Sequence, residues 1–421
     1  MTSACAKRPA PAPVPAPWSD AWILAEGARY LRDDTFRRAT LERSLANPQN
    51  TYSRQRLGSY GLVDRGWDAL PAWTPRSRPV TVATADAAVT DDVAPLWDGR
   101  VPVTWSEWIS LGRKVFDGYP LRAEPLADFA LRDPALAARV GVHADRDGVF
   151  PGVRRFRDVD GETRTGITCA LCHTAVEGGH TRYGRARRDF DYGALRNAYQ
   201  RAHGGDEGAL TVRMASWGPG RADVTEDDDQ DPVAIPDLWG LRHQRWLTQA
   251  GTLRHETPVA LAIRTETQLL HANHERVRPP RALAFALAVF LYSLAPPPRV
   301  APPAPRGRAL FEAHCADCHD NPAQGGDPVR ASRVGTDPAL ALGHARGTGR
   351  YRPPALLDVA RAAPLLHDGT VARLDDLLSP ARLAPGFTGG ARGPGAIPGH
   401  TFGTQLPAED RAALVRYLET L

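Results

Sequence analysis

Two short motifs place a histidine directly after a pair of cysteines three residues apart, CALCH at 169–173 and CADCH at 315–319. Cysteines at i and i+3 lie on one face of a helical turn, so both sulfurs can form thioethers with the two vinyl groups of one porphyrin. The histidine that follows then reaches the iron. The motifs therefore predict two covalently bound haem groups. The predicted thioether residues are Cys169, Cys172, Cys315 and Cys318, and the predicted proximal iron ligands are His173 and His319.

Two other chemistries use paired cysteines. The four motif cysteines could bind one zinc ion as tetrahedral thiolates, but zinc gives no reason for a histidine after each pair. A thioredoxin-type redox pair requires a βαβ context, which is absent around both motifs. Histidine is 13 of 421 residues, so finding it after both pairs by chance has a probability of about 0.001. Covalent haem is the preferred interpretation.

The second axial ligand of each iron is less certain from sequence. Met1 and Met214 are the only methionines, so the second motif has no methionine downstream. Met214 could ligate the first iron, although a lone methionine also packs well in a core. The other candidates for the first iron are His180, His203, His243, His255, His271 and His274. The candidates for the second iron are His344, His367 and His400.

Three sequence echoes occur twice in the same order, which indicates internal duplication. The central echo aligns 235–253 with 353–371 at a constant offset of 118, and it places Gln249 where the second copy has His367. The flanking echoes are SLGRKVF at 110–116 with PRGRALF at 305–311, and AVFLYSL at 288–294 with LVRYLETL at 414–421. We expect a mainly α fold of two tandem cytochrome c-like domains. Each domain should contain a leading helix, a CxxCH turn and a closing helix packed across the first.

Proline and glycine positions set the domain boundaries. The proline-rich segment around 295–307 cannot be helix interior, because proline lacks the amide donor and clashes with the preceding turn. The glycine-rich insertion at 141–166 predicts loops or a hairpin, and PQNTYSRQRLGSYG after residue 46 predicts an irregular strap across the first domain. The predicted divisions are a Pro/Ala-rich tether at 1–17, an N-terminal helical and irregular extension at 18–104, a first haem domain at 105–298, a linker at 299–306 and a second haem domain at 307–421.

Bulk composition excludes several partners. The net charge of +4 is small against 52 basic and 48 acidic side chains, so no nucleic-acid partner is expected. The longest apolar run, 282–294, is shorter than the roughly 20 residues that span a bilayer. Cys5 follows small residues in TSAC, which resembles the end of a bacterial lipoprotein signal without its apolar core. Either translation starts upstream and Cys5 is a lipid anchor, or Cys5 is an incidental thiol on a tail.

The segment PPALLDVARAAPLLHDGTVARLDDLL resembles the signature of bacterial dihaem cytochrome c peroxidases and their relatives. The relatives include the dihaem maturation enzyme of methylamine dehydrogenase and the rubber oxygenases, and the resemblance covers roughly 105–421. WGPGRADVT at 217–225 and the segment 398–421 are closer to the rubber-oxygenase-like branch. In that branch the histidine of a GHxFGT-like segment ligates the second haem. The resemblance thus favours His400 as the distal ligand, with His367 as the second candidate.

The sequence also departs from the family. The peroxidases place a methionine about fourteen residues after the HDG histidine, where this chain has Ala381, so a His/Met electron-input haem is not expected. The family is known for a calcium ion between the domains, and TEDDDQD at 225–231 is the candidate here. Pro232 stands where an EF-hand would need glycine, which favours a solvated loop.

These residues predict an exported dihaem cytochrome that transfers single electrons, because this type of haem attachment takes place outside the cytoplasm. We expect a periplasmic or cell-envelope location, with a signal absent or truncated in this chain. The expected partners are small cytochromes, cupredoxins or quinol-linked donors. The alternative function is a haem peroxidase or oxygen-activating oxidase with an open site on the first iron. Trp217, Trp239, Tyr292 and Tyr417 could relay electrons or simply fill the core.

Overall fold

The structure is a computed structural model, and it describes residues 15–59, 70–84, 86–205, 213–223, 231–299 and 301–421. Cys5 and all of the acidic run 225–231 except Asp231 lie outside the described residues, so the predictions on a lipid anchor and on calcium remain predictions. Helix makes up 39% and strand 13% of the chain, in line with the expected excess of helix. Among the residues that the structure describes, no helix is long and apolar enough to cross a bilayer.

The secondary structure follows the predicted order with local additions. The helices are α1 Asp20–Arg32, α2 Asp34–Ser44, α3 Thr51–Ser59, α4 Trp105–Gly118, α5 Pro125–Arg132, α6 Pro134–Arg139, α7 Ala170–His173, α8 Tyr192–Ala202, α9 Pro258–Ala272, α10 Arg281–Ser293, α11 Pro305–His314, α12 Ala331–Val334, α13 Ala339–Leu342, α14 Leu374–Leu378 and α15 Ala408–Leu418. The strands are β1 Arg76–Thr81, β2 Arg122–Ala123, β3 Val149–Arg157, β4 Thr163–Ile167, β5 Thr174–Glu177, β6 His180–Tyr183, β7 Arg221–Ala222, β8 Val233–Ala234, β9 Trp246–Leu247, β10 Leu253–Arg254, β11 Val329–Arg330 and β12 Arg350–Tyr351.

The N-terminal extension is more regular than its sequence suggested. Asp33 separates α1 from α2, and its carboxylate accepts a hydrogen bond from the Phe36 amide at 2.9 Å as an N-cap. The segment predicted to be an irregular strap contains α3, so that prediction was wrong in its local structure. Asn50 explains the helix, because its side chain accepts from the Ser53 amide at 2.8 Å and caps the first turn.

The extension also joins the two halves of the chain. At α3 the amides of Thr51 and Tyr52 donate to the carbonyls of His344 and Ala345, at 3.1 and 2.9 Å. Just before α3, the Ala46 amide donates to the carbonyl of Thr252 at 2.9 Å. The strap therefore crosses from the first half to the second, rather than covering the first alone.

A four-stranded antiparallel sheet in the order β1-β3-β4-β2 supports the first motif. The glycine-rich insertion forms its central hairpin, as β3 pairs with β4, which confirms the hairpin among the structures expected there. Gly152 on β3 lies directly against the CALCH turn: a Cβ at this position would be 1.9 Å from the Leu171 amide nitrogen. Its φ of +79° also favours glycine. The sheet thus acts as a platform for the first motif.

The leading and closing helices of each half cross at a glycine. In the first half, a Cβ on Gly112 of α4 would lie 1.9 Å from the Ala286 carbonyl oxygen of α10. In the second half, a Cβ on Gly307 of α11 would lie 2.1 Å from the Ala413 carbonyl oxygen of α15. The glycine lets each pair of backbones come into contact, so the two crossings share one geometry.

The central echo repeats in the backbone as well as in the sequence. Left-handed residues recur at the offset of 118, and so do a short 3₁₀ turn and an antiparallel pair. The equivalent left-handed positions are Gly240 and Asp358, Thr248 and Leu366, and Gly251 and Gly369. The equivalent turns are Leu241–His243 and Val359–Arg361, and the equivalent pairs are Leu247 with Leu253 and Leu365 with Val371. Two stretches with different side chains therefore adopt the same path.

The helix α11 begins at Pro305, two residues before the predicted start of the second domain. Proline is favourable at the first helical position, where its missing amide would have no intrahelical partner. The linker also supplies one of three arginines that surround the buried Asp358 carboxylate. These ion pairs come from the first half, the linker and the second half, and they are Arg185 at 2.7 Å, Arg299 at 2.9 Å and Arg361 at 2.9 Å.

The helix crossings make a stability prediction. We expect Gly112→Ala and Gly307→Ala each to destabilise the protein by about 1–3 kcal/mol, because the new methyl group must push a backbone carbonyl away. Gly58→Ala in α3 is the control, since a Cβ there meets no atom within 4 Å. Thermal unfolding of the three variants tests this prediction, and unchanged unfolding temperatures for both crossing variants would contradict it.

Candidate functional site

A cavity of about 470 Å³ lies beside the second motif. Its size is in the range of small-molecule and cofactor sites. Motif residues Cys315, Cys318 and His319 line it, and both helices of the second crossing contribute apolar side chains. The apolar lining includes Phe311, Val359, Leu374, Leu378, Leu414 and Leu418. The cavity thus combines a CxxCH turn with an apolar interior.

The proximal histidine candidates are oriented through Nδ1. His319 Nδ1 lies 2.5 Å from the carbonyl oxygen of Gln324, and His173 Nδ1 lies 3.1 Å from that of Pro236. Since a carbonyl can only accept, each Nδ1 carries the proton and donates it. The lone pair then stays on Nε2, the nitrogen that can bind a metal. Burial lowers the pKa of His173 to about 4 and also lowers that of His319, so both rings are neutral at neutral pH.

Three of the motif thiols, those of Cys169, Cys172 and Cys315, are protonated at neutral pH. Burial raises the pKa of Cys169 to about 12, and it raises the pKa values of Cys172 and Cys315 to about 11. All four motif cysteines are free. In the described part of the chain, no three His, Cys, Asp or Glu side chains converge on a point that could hold a metal ion. The four-cysteine zinc site considered from the sequence is therefore not formed.

His400 faces the same cavity. The His400 amide donates to the Val334 carbonyl at 2.6 Å. The Arg382 guanidinium donates to the His400 carbonyl at 2.8 Å. Burial, and to a smaller extent the neighbouring His319, lower the pKa of His400 to about 4. Its Nδ1 is buried and has no hydrogen-bond partner in the described structure. A neutral, backbone-anchored imidazole close to His319 is the arrangement that a second axial ligand requires.

The other two candidates for the second iron are separated by position. His367 also lines the cavity, where it stacks on Tyr351 with ring centroids 4.2 Å apart. Burial lowers its pKa. His344 is exposed, and its carbonyl is occupied by the Thr51 amide of the strap. The structure thus brings His367 and His400 to the cavity and leaves His344 outside.

The first half of the chain supplies one wall of this cavity through Trp239, Gln244 and Gln249. Arg352 lies where the wall meets the second half, and it donates to the Thr248 carbonyl at 3.0 Å and to Gln244 Oε1 at 2.9 Å. Burial lowers the pKa of Arg352 to about 10. The hydrogen bonds that Arg352 makes in the described structure all go to neutral oxygens. A bound anion would therefore compensate the charge of the guanidinium. Sequence reasoning missed Arg352, because it lies one residue before the central echo, where the first copy has Ala234, and an arginine among 52 basic residues gives no signal.

The candidates for the first iron are only partly sorted by the structure. Met214 is 1% exposed, and its carbonyl packs against Gly193 at the start of α8; ligation by Met214 remains a prediction. His255 is buried with both ring nitrogens engaged, by the Gln244 carbonyl and the Tyr292 hydroxyl. His271 pairs with Glu275 at 3.4 Å. The exposed candidates are His180, His203, His243 and His274.

The residues around the second motif fit a haem. One apolar cavity is surrounded by groups that a haem needs. They are two thiols, an oriented proximal imidazole, a buried imidazole with an unpartnered nitrogen, and an arginine with no carboxylate partner in the described structure. Haem would supply reversible one-electron chemistry at its iron. One of its negatively charged propionates would be the anionic partner that Arg352 lacks in the described structure.

One comparison with known proteins concerns the second half of the chain. The cytochrome c family model matches residues 304–421, which begin one residue before α11. No curated protein matches the chain. Among solved structures, a MauG-like protein associated with microbial copper homeostasis is 18% identical, with a TM-score of 0.32 over 48% of this chain and 78% of that chain. Residues 304–421 are therefore similar to a cytochrome c domain, the kind of domain that binds haem c.

Proposed function

We propose that this protein is an exported dihaem c-type cytochrome that accepts and donates single electrons. The observation that carries the proposal is the cavity beside Cys315–His319, in which His400 presents a buried imidazole near His319. A haem iron held by both His319 and His400 would have no open coordination site. Such a haem suits electron transfer rather than substrate binding.

Each group of residues at the second site would have a separate role in binding the haem. Cys315 and Cys318 would tether the porphyrin, and His319, held by the Gln324 carbonyl, would present Nε2 to the iron. The apolar side chains exclude water, which lowers the reorganisation that accompanies each electron transfer. Arg352 would bind a propionate and stabilise the reduced iron electrostatically, because its positive charge opposes the extra charge of the ferric state.

A second haem on the first motif is supported by repeated geometry. His173 bonds to the carbonyl of Pro236, whose equivalent at the offset of 118 is Pro354 beside His319. The crossing at Gly112 matches that at Gly307. A turn with the same sequence pattern, the same helix crossing and a similarly held histidine is expected to bind the same group.

Export and partners follow from the chemistry of attachment. Thioether formation of this type places the mature protein in the periplasm or at the cell envelope. Its partners would be small cytochromes, cupredoxins or quinol-linked donors. If the first iron proves five-coordinate, the alternative function of a peroxidase or oxygen-activating oxidase gains the open site that it needs.

The number of haems can be counted directly. The intact mass of the exported protein should exceed that of the polypeptide by two haem groups, since each motif forms its own thioethers. The paired variants Cys169→Ser/Cys172→Ser and Cys315→Ser/Cys318→Ser should each retain one haem. Intact-protein mass spectrometry measures this, and a wild-type protein with a single haem would refute the dihaem proposal.

The distal ligand of the second iron can be tested by its spin state. We expect His400→Ala to convert the ferric second haem from low spin to high spin and added imidazole to restore the low-spin form. His367→Ala is the matched control, because His367 lines the same cavity, and it should leave the spectrum low spin. Low-temperature electron paramagnetic resonance reads both variants. The opposite pattern would assign the ligand to His367.

Arg352 should tune the reduction potential of the second haem. Arg352→Gln removes a positive charge near the iron and should therefore lower the potential, by on the order of 1–2 kcal/mol for a separation of about 10 Å and an effective dielectric constant of about 20. Arg350→Gln, two residues away and exposed, is the control. A spectroelectrochemical titration that gives equal potentials for both variants would exclude the propionate role of Arg352.

A further inference from the structure

A cluster of aromatic and imidazole side chains lies behind the cavity wall and has no part in the site described above. It consists of Tyr292 on α10, His255 before α9, and Trp18 and Trp22 at the start of the N-terminal extension. Tyr292 is 5% and His255 is 2% exposed. The cluster joins three segments that lie far apart in the sequence.

Tyr292 and His255 form a short hydrogen bond, with 2.6 Å between the phenol oxygen and Nε2. Their rings are nearly parallel, at an interplanar angle of 18°. His255 Nδ1 lies 2.7 Å from the Gln244 carbonyl, so Nδ1 must carry the proton of a neutral ring. Nε2 therefore holds a lone pair, and the Tyr292 hydroxyl donates to it.

The surroundings of Tyr292 couple its electron to its proton. Burial raises the pKa of Tyr292 well above its usual value, so the phenol does not ionise by itself. Loss of an electron makes a phenol a strong acid, and the proton then needs a nearby base. The Tyr292 hydroxyl is also placed to donate to the Pro258 carbonyl at 3.0 Å, but a carbonyl is not a base of useful strength. Burial lowers the pKa of His255 to about 4, so its ring is neutral and Nε2 keeps a lone pair. Although burial weakens it as a base, the imidazole is still far more basic than a phenol that has lost an electron.

The cluster reaches in two directions. Towards the cavity, the Gln244 side chain is part of the lining while its backbone carbonyl holds His255. Towards the surface, the Trp18 ring lies 6.0 Å from that of Tyr292, and the Trp22 ring lies 5.5 Å from that of Trp18. Both tryptophans are partly exposed. Aromatic rings at these separations are close enough for an electron to move in short steps.

We propose that Tyr292 is a redox-active tyrosine with His255 as its built-in proton acceptor, and that Trp18 and Trp22 connect it electronically to the protein surface. The electron acceptor is a strong one-electron oxidant that reaches the surface tryptophans, of the class of a ruthenium(III) polypyridyl complex, because a haem c ligated by two histidines is too weak an oxidant to take an electron from a phenol. The phenol–imidazole pair itself depends only on the protein.

Tyr292 loses one electron to a strong one-electron oxidant at the protein surface, which is a ruthenium(III) polypyridyl complex in the test. Its O–H bond breaks, and an N–H bond forms at His255 Nε2, which gives a neutral phenoxyl radical and an imidazolium. The imidazolium keeps an acceptor at each nitrogen, the Gln244 carbonyl and the phenoxyl oxygen. An electron arriving through Trp18 reverses both transfers.

Flash-quench oxidation of the haem-loaded protein with a ruthenium(II) tris-bipyridyl photosensitiser tests the pair without calling on the haem as oxidant. We expect a tyrosyl radical by electron paramagnetic resonance, with at least a ten-fold smaller yield in Tyr292→Phe and in His255→Gln, whose amide can accept a hydrogen bond but not a proton. Tyr119→Phe is the matched control, since Tyr119 is equally buried and its hydroxyl has no partner in the described structure. This control should give the wild-type yield.

Trp18→Phe provides a second measurement that does not disturb the pair. This variant should form the radical more slowly, because Trp18 is the aromatic ring through which the electron of Tyr292 reaches the surface oxidant. A radical yield unchanged in Tyr292→Phe would overturn the proposal, as would equal yields in His255→Gln and the wild type. Far-ultraviolet circular dichroism confirms that each variant is folded. Haem content in the same samples reports separately on the proposed function: protein without haem contradicts that function, whereas haem-loaded protein without the Tyr292 signal contradicts only this inference.

Discussion

Two helix backbones touch at a glycine in each half of the chain, and this contact sets the position of the second motif. At Gly307 the leading helix α11 touches the closing helix α15, and side chains from both helices, Phe311 and Leu414 among them, line the cavity. The helix α11 leads directly into Cys315. The crossing therefore fixes the position of the CxxCH turn relative to the apolar lining of the cavity. Any side chain at the crossing would separate the helices and change the shape of the cavity.

The structure also shows that the two halves are not independent. The first half lines the cavity of the second through Trp239 and Gln244, and the strap at α3 bonds to both halves. The buried Asp358 draws arginines from the first half, the linker and its own half. A haem in the second half would therefore have its environment set partly by the first, which is a physical route by which one site could influence the other.

Local patterns allowed much of this to be predicted from the sequence, and long-range contacts account for the rest. The helices of both crossings, the hairpin at β3 and β4 and the equivalence of 235–253 with 353–371 all have short-range signals. The helix α3 was not predicted, because Pro48 suggested irregular structure and the helix cap supplied by Asn50, two residues later, was not recognised. The placement of His400 near His319 rested on family resemblance, since residues 81 apart carry no local signal of contact. Arg352 and the pairing of His255 with Tyr292 were missed for the same reason.

In the proposed function, His319 and His400 hold an iron-porphyrin in the cavity. Anomalous diffraction from crystals of the exported protein, collected on both sides of the iron absorption edge, would locate the iron. Two iron peaks are expected, one of them between Nε2 of His319 and the imidazole of His400, and the other beside His173. Absence of an iron peak in the cavity, or a zinc peak shared by the four motif cysteines, would contradict the proposed function.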